Sequence, residues 1–177
     1  MTPDKRFQAL YHAHAGAVLS YARRRSTRAD AEDVLGEVFL VAWRRLDEVP
    51  AEQERVWLLG VARRALANQR RGSTRRRALR SRLASQGQAP AAAPMPFPAA
   101  RETRLGRALA RLSESDRELL LLIAWEGLSN EEAARVLEIR PRALRVRLHR
   151  ARRRLASVLA REGSGDATDN PTALEAL

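Results

Sequence analysis

Apolar residues recur every three to four positions through most of the chain, a spacing that places them on one face of an α-helix. The pattern predicts a first helix that ends near the arginines at 23–25 and a second helix that follows Thr27, a candidate N-cap. Residues 47–51 interrupt it before a third helix, predicted over residues 52–71. Almost no stretch alternates as a half-buried strand does, so the fold class is predicted to be all-α.

The C-terminal part of the chain continues the helical spacing. A helix is predicted to begin near Arg101, and Ser113 is a candidate N-cap for the strongly apolar helix that follows. Residues 119–123 are apolar around more than half of that helix. They form either part of the core, which is the favoured alternative, or a surface that faces a partner.

Two short helices joined by a tight turn are predicted next. Ser129 and Glu132 have the spacing of a capping box, and Gly127 suits the left-handed conformation that closes a preceding helix. Pro141 suits the first turn of the second helix, which is predicted to run to about Arg161. This arrangement is a helix-turn-helix, and its second helix is the candidate for entry into a DNA groove.

That second helix has two chemically different faces. Spacings of three and four residues bring one set to a common, packing face: Leu144, Leu148, Ala151 and Leu155. Basic residues lie largely outside it: Arg142, Arg145, His149, Arg150, Arg152 and Arg153. A solvated surface or a membrane-lying helix is the alternative interpretation. The capped helix before it argues against both, because a lone interfacial helix needs no partner held at an angle.

The predicted organisation is two small helical domains joined by a flexible linker, the C-terminal one a helix-turn-helix. The domains are predicted over residues 1–71 and 101–161, with a mobile polar tail over 162–177. Residues 72–100 are basic and then rich in Pro and Ala, so they offer little apolar surface to offset the entropy of ordering. A helix that continues as far as Ala84 is the alternative for the first part of this linker.

The charge and composition narrow the classes of function. A formal net charge of +12 favours a polyanionic partner, with nucleic acid as the first candidate, and predicts binding that weakens as salt rises. The chain has no cysteine, which excludes disulfides and thiolate metal sites, and no cofactor is indicated. No stretch approaches the ~20 apolar residues that cross a bilayer, and the N-terminus does not resemble a secretory leader, so a cytoplasmic location is expected.

Two segments resemble the bacterial sigma factors. AEDVLGEVFLVAWRRLDEV at 31–49, followed by RVWLLGVARR at 55–64, resembles their second conserved region. LSESDRELLLLIAWEGLSNEEAARVLEI at 112–139, with RLHRARRRL at 147–155, resembles their fourth region. The two regions in this order, without other domains, resemble the extracytoplasmic-function (ECF) branch. The similarity covers most of residues 7–71 and 105–161.

The resemblance implies a transcription initiation factor rather than an enzyme. Its partners would be core RNA polymerase, through the clamp coiled coil and the flap, and promoter DNA in duplex and melted form, and an anti-sigma factor is a further candidate partner. The residues that match the helix that contacts the polymerase are Asp33, Val34, Glu37, Val38, Phe39 and Trp43. For the two aromatics, a role in the core is an equal alternative.

The resemblance also assigns candidate DNA-binding residues. Those matching the part that melts and reads the minus-ten element are Asp47, Glu48, Val49, Trp57, Arg63, Arg64, Arg70 and Arg71. Those matching the helix that reads the minus-thirty-five element are Arg142, Ala143, Arg145, Val146, His149, Arg150, Arg152 and Arg153. Arg145 and Arg150 are the candidates for base contacts, since arginine bonds guanine bidentately.

Six positions depart from the sigma-factor pattern. Arg64 replaces a usual asparagine, and Val49 and Ala51 stand where the loop often has an aromatic residue or glycine. In the helix-turn-helix, Glu138 replaces a common glycine, and Arg142 with Ala143 replaces a frequent Gly-Thr pair. The base preference in the minus-ten element is therefore not predicted.

Two other classes of function are less compatible with the sequence. A stand-alone DNA-binding regulator that acts as a dimer is the alternative, but no heptad or separate dimerisation helix supports it. Catalysis is disfavoured, because His12 and His14 diverge on a helix and no acid–base set or phosphate-binding glycine loop is present.

Overall fold

The computed structural model of the chain describes residues 2–83 and 103–166, with side chains described for 2–72 and 103–161. Within these ranges the protein is all-α, as predicted, and contains no strand. The helices are α1 Pro3–Arg23, α2 Arg28–Arg44, α3 Glu54–Leu83, α4 Arg104–Ala110, α5 Glu114–Ala124, α6 Asn130–Leu137 and α7 Pro141–Asp166. A single 3-10 turn, Leu46–Glu48, follows α2.

The chain divides into two compact units, residues 1–96 and 97–177. In the N-terminal unit α1, α2 and α3 pack against one another in all three pairings. The largest fully buried side chains of this unit come from these helices and, for Val49, from the loop between α2 and α3: Val18, Tyr21, Val34, Val38, Val49, Leu58 and Leu59. Burial of these apolar groups is the main source of stability for a three-helix unit of this size.

In the C-terminal unit α7 is the central helix, since it packs against α4, α5 and α6. Leu119 and Leu122 of α5 and Leu144 of α7 are fully buried. Residues 119–122 are buried, which confirms the core interpretation for these four residues, and Ile123 is half-buried. The shorter helices thus hold α7 in place, and its opposite face is left to solvent.

Among the described residues, side chains cap four helix starts, and three of these caps were predicted: Thr27, Ser113 and Ser129. The Thr27 hydroxyl accepts a hydrogen bond from the Asp30 amide at 3.2 Å, and the Ser113 hydroxyl accepts one from the Asp116 amide at 3.1 Å. The fourth cap, which was not predicted, is Thr103, whose hydroxyl accepts from the Gly106 amide at 3.1 Å at the start of α4. Each satisfies one of the amides that a helix leaves without an internal partner in its first turn.

Two helices run further than predicted. α3 continues past Arg71 to Leu83, so the helical alternative describes the first part of the predicted linker. Residues 73–83 are mostly Arg, Ala, Leu and Ser with no proline, and nothing in them ends a helix. α7 passes Arg161 and ends at Asp166. Each glycine within a helix costs only about 1 kcal/mol, which does not by itself end it.

The remainder of the predicted linker, residues 84–100, and most of the predicted tail, residues 167–177, lie outside the described residues.

Candidate nucleic-acid interface

The first helix of the helix-turn-helix, α6, begins with a reciprocal capping box. The Glu132 amide donates to the Ser129 hydroxyl at 3.2 Å, and the Ser129 amide donates to the Glu132 carboxylate at 2.7 Å. Gly127 has a φ of +65°, and the amide of Leu128 donates to the Leu122 carbonyl at 3.1 Å. These bonds close α5 and start α6 as predicted, and so fix the connection between α5 and α6.

The turn between α6 and α7 depends on one left-handed residue. Glu138 has φ 57° and ψ 40°, and among the described residues no other non-glycine residue has a positive φ. Ile139 then donates its amide to the Ala134 carbonyl at 3.0 Å. A side chain with a Cβ is strained in this conformation, which explains why glycine is common here among sigma factors. Pro141 follows as the first residue of α7, as predicted.

The two faces of α7 are divided as the spacing predicted. Leu144, Leu148 and Ala151 are buried against the other helices, and Leu155 is half-buried. All eight residues expected to contact duplex DNA are exposed: Arg142, Ala143, Arg145, Val146, His149, Arg150, Arg152 and Arg153. Val146 is 53% exposed and stands among the arginines, where an apolar side chain suits contact with a thymine methyl group.

Two further arginines of α7 are held by a single carboxylate that sequence reasoning missed. Asp116, in the first turn of α5, is 3% exposed and accepts a hydrogen bond from Arg154. The Arg147 guanidinium lies 3.9 Å from the same carboxylate. Arg147 and Arg154 are seven residues apart, so they lie two turns apart on one side of α7. The sequence alone does not specify this bridge, because the pairing depends on how α5 packs against α7.

The six residues expected to face the polymerase separate into two groups. Asp33, Glu37 and Trp43 are exposed on α2. The prediction is wrong for Val34, Val38 and Phe39 as surface contacts, because all three are buried, with exposures of 0–4%. They face α1 and α3 and form the core of the N-terminal unit.

A ring cluster joins α1 to α2 on the side where Trp43 is exposed. The ring centroids of Phe7 and Trp43 are 5.1 Å apart, and those of Tyr11 and Phe39 are 4.7 Å apart, both edge to face. Trp43 remains 44% exposed and Leu40, which sequence reasoning missed, 48% exposed. Of the two alternatives for the aromatics, Phe39 belongs to the core, whereas Trp43 lies at its edge and still presents a surface.

The residues expected to bind melted DNA lie around the loop between α2 and α3 and along α3. Asp47, Glu48, Arg64 and Arg71 are exposed, while Trp57, Arg63 and Arg70 are half-buried. Val49 is 2% exposed, so its side chain belongs to the core and the prediction of a DNA contact through that side chain is wrong.

Local bonds restrain several of these groups. A hydrogen bond from Arg45 lowers the pKa of Glu48, so that carboxyl is charged at neutral pH. The Arg70 guanidinium donates to the Arg25 carbonyl at 3.2 Å. Arg25 itself is buried, with its guanidinium 3.7 Å from the centre of the Tyr21 ring. Arg70 therefore joins α3 to the end of α1 as well as adding positive charge.

The described residues hold no cluster of three or more His, Asp or Glu side chains suited to a metal ion. Across the same part of the chain, no helix has the length and apolar character needed to cross a membrane.

A two-unit helical protein with a basic helix-turn-helix is a DNA-binding protein by architecture, and comparison with known families specifies its class. Residues 10–76 match sigma-70 region 2, and residues 102–155 match sigma-70 region 4. The ECF RNA polymerase sigma factor SigL of Mycobacterium tuberculosis is 33% identical over 160 residues, which span 88% of this chain and 90% of SigL. The sigma factor CnrH of Cupriavidus metallidurans is 29% identical over 171 residues, 88% of this chain and 87% of CnrH.

Solved structures agree with this comparison. CnrH, in complex with the cytosolic domain of CnrY, superposes with a TM-score of 0.59 at 29% identity and covers 87% of both chains. RpoE of Bartonella quintana, in complex with the anti-sigma factor NepR, has the same fold, with a TM-score of 0.60 at 24% identity over 87% of this chain and 96% of RpoE.

The chain belongs to the ECF branch of the RNA polymerase sigma factors. It directs RNA polymerase to promoters. This role does not favour the alternative of a stand-alone dimeric regulator.

Proposed function

We propose that three surfaces of the protein have separate functions in promoter recognition. The exposed face of α7 reads the duplex minus-thirty-five element, the loop before α3 with the basic start of α3 receives the melted minus-ten strand, and the exposed face of α2 binds the polymerase clamp. The protein acts in the cytoplasm, without a cofactor and without catalytic activity of its own.

The observation that carries this proposal is the arginine face of α7. Arg142, Arg145 and Arg150 are exposed, outside the face on which Leu144 and Leu148 are buried. A helix held by its apolar face and exposed along a basic one can enter the major groove, where arginine contacts phosphates and the edges of guanine. Arg145 and Arg150 contact bases, and Arg142, Arg152 and Arg153 contact phosphates.

The proposed polymerase-binding surface on α2 combines acidic residues with exposed apolar ones. Asp33, Glu37 and Leu40 fall at spacings of three and four, so they share one face of α2, and Trp43 lies at its edge. Leu40 and Trp43 are 48% and 44% exposed. Such a face suits a basic, partly apolar helix, because the charges orient the partner and the apolar groups stabilise the complex.

An anti-sigma factor is a further proposed partner. RpoE of Bartonella quintana, which has the same fold, was solved in complex with the anti-sigma factor NepR, and CnrH was solved in complex with the cytosolic domain of CnrY. The α2 face is our candidate for its binding site here, and occupation of that face would block the polymerase.

A run-off transcription assay tests the α7 assignment. With purified core polymerase and a template whose upstream element has been mapped, Arg145→Ala is expected to lower transcript yield about tenfold or more, since one bidentate base contact contributes ~1–3 kcal/mol. Co-elution with core polymerase in gel filtration should be unchanged.

Arg161→Ala is the matched control. It removes the same charge from the same helix, but about 24 Å further along its axis, beyond the reach of the groove. Equal losses of transcript for the two variants, or a loss of polymerase binding by Arg145→Ala, would contradict the assignment.

A further inference from the structure

We propose that α1 holds the loop that receives the melted strand in a fixed conformation, and that Arg6 and His14 are positioning residues for base selection. This inference rests on the proposed function of that loop. It adds two residues, both on a helix that carries none of the DNA contacts assigned above.

Arg6 holds the beginning of the loop. Its guanidinium donates a hydrogen bond to the Val49 carbonyl at 2.8 Å and lies 3.7 Å from the Asp47 carboxylate. The Val49 side chain is meanwhile buried. Two contacts therefore hold Val49 in place: its side chain packs in the core, and its carbonyl accepts a hydrogen bond from α1.

His14 holds the end of the loop. Its Nε2 lies 3.0 Å from the carboxylate of Glu54, the first residue of α3, and both side chains are partly buried. Between the two anchors the loop contains one tight turn, in which Gln53 donates its amide to the Pro50 carbonyl at 3.0 Å. Both ends of the loop are thus attached to the same helix.

The two anchors lie at a fixed distance along α1. Eight residues separate Arg6 from His14, which corresponds to about 12 Å of helix rise. A helix is rigid over this length, so it sets the separation between the two ends of residues 49–54. A pocket for a single unstacked base needs such a fixed frame, because selection between bases depends on hydrogen bonds that fail when the donor and acceptor shift.

Arg6 has a second, electrostatic effect on this loop. The Asp47 side chain is fully exposed, and an unpaired carboxylate there would repel the phosphates of the incoming strand. The nearby guanidinium offsets that charge. Loss of Arg6 would both release the loop and add net negative charge beside the DNA.

The test measures base preference rather than affinity. Holoenzyme, assembled from the full chain and core polymerase, selects from a single-stranded DNA library with randomised positions, and the enrichment of each base at each position is read by sequencing. Wild-type holoenzyme is expected to favour one base at one or more positions. Arg6→Ala is expected to lower that preference about tenfold, and His14→Ala should lower it in the same positions.

Base preference is measured because it is independent of the amount of folded protein. A variant that folds poorly has a smaller active fraction, but that fraction is reduced equally for every DNA sequence, so the ratio of enrichment between bases is unchanged. Arg28→Ala is the matched control, since Arg28 is ion-paired to Glu32 at 3.2 Å on α2 and touches no part of the loop. His14→Gln keeps a hydrogen-bond donor toward Glu54 and should restore the preference.

Unchanged base preference in both Arg6→Ala and His14→Ala would overturn the inference, as would an equal loss in Arg28→Ala. If Arg6→Ala fails to fold, the comparison of His14→Ala with His14→Gln decides. A wild-type holoenzyme that shows no base preference at any position would instead refute the proposed function of the loop.

Discussion

The left-handed turn residue of the helix-turn-helix allows a prediction whose sign depends on backbone geometry alone. Glu138 has a φ of 57°, whereas Arg135, one turn earlier, is an exposed position within α6. We compare glycine with alanine at each position, so that the original side chain and all its interactions are absent from both variants.

The expected magnitude follows from two opposing terms. A residue with a Cβ pays ~1–2 kcal/mol in the left-handed region, which glycine does not pay. Glycine loses ~0.4–1 kcal/mol because it has more freedom in the unfolded chain. At position 138 we therefore expect the glycine variant to exceed the alanine variant in stability by about 0.5–1 kcal/mol. Within α6 the difference reverses, since glycine is about 0.5–1 kcal/mol worse than alanine in a helix.

Thermal unfolding of the full chain, followed by circular dichroism, measures the difference. For a unit of this size ~1 kcal/mol corresponds to a Tm shift of about 4–8 °C. Glu138→Gly should unfold at a higher temperature than Glu138→Ala, and Arg135→Gly at a lower temperature than Arg135→Ala. The same sign at both positions would show that the turn does not require a left-handed residue, and the account of this turn would fail.

Two further predictions concern charged groups. Glu37→Lys should weaken binding to core polymerase at least several-fold in a fluorescence titration, because it reverses a charge on the proposed contact face of α2. The control is Glu32→Lys, on another side of α2, which should have a much smaller effect. Equal effects of the two variants would contradict the proposed surface. Asp116→Asn should lower the free energy of unfolding in urea by about 1.5–3 kcal/mol, the contribution of a charge-assisted hydrogen bond. Asp30→Asn is the control, since Asp30 occupies the same place after its N-cap but bridges no arginine pair, and a similar loss there would mean that the bridge to α7 contributes little.

The helix starts and the helix-turn-helix were predictable because their signals are local. Thr27, Ser113 and Ser129 each accept a bond from an amide three residues ahead. Gly127 adopts the left-handed conformation that its lack of a Cβ favours. Interactions over so few residues cost little chain entropy, so the sequence pattern specifies them without knowledge of the fold.

The helix ends and the exposed side of α2 were less predictable. A basic segment such as residues 72–83 is compatible with a linker or with a continued helix, and α3 in fact runs to Leu83, since arginine forms helices well. The apolar stripe on α2 is broad, and Phe39 and Leu40 are both large apolar residues within it, so the sequence pattern does not show which of the two is buried. Only packing against α1 and α3 decides that Phe39 is buried and Leu40 is exposed.

By itself, the sequence determined an all-α chain with a capped helix-turn-helix and an arginine-rich recognition helix, because helix periodicity and capping act over a few residues. The tertiary structure alone decided which groups meet across long separations. Arg6 reaches a carbonyl 43 residues away, and Arg154 reaches a carboxylate 38 residues away. Such contacts exist only after burial of the core has brought distant helices together, since a polar pair cannot by itself offset the entropy of closing so long a loop.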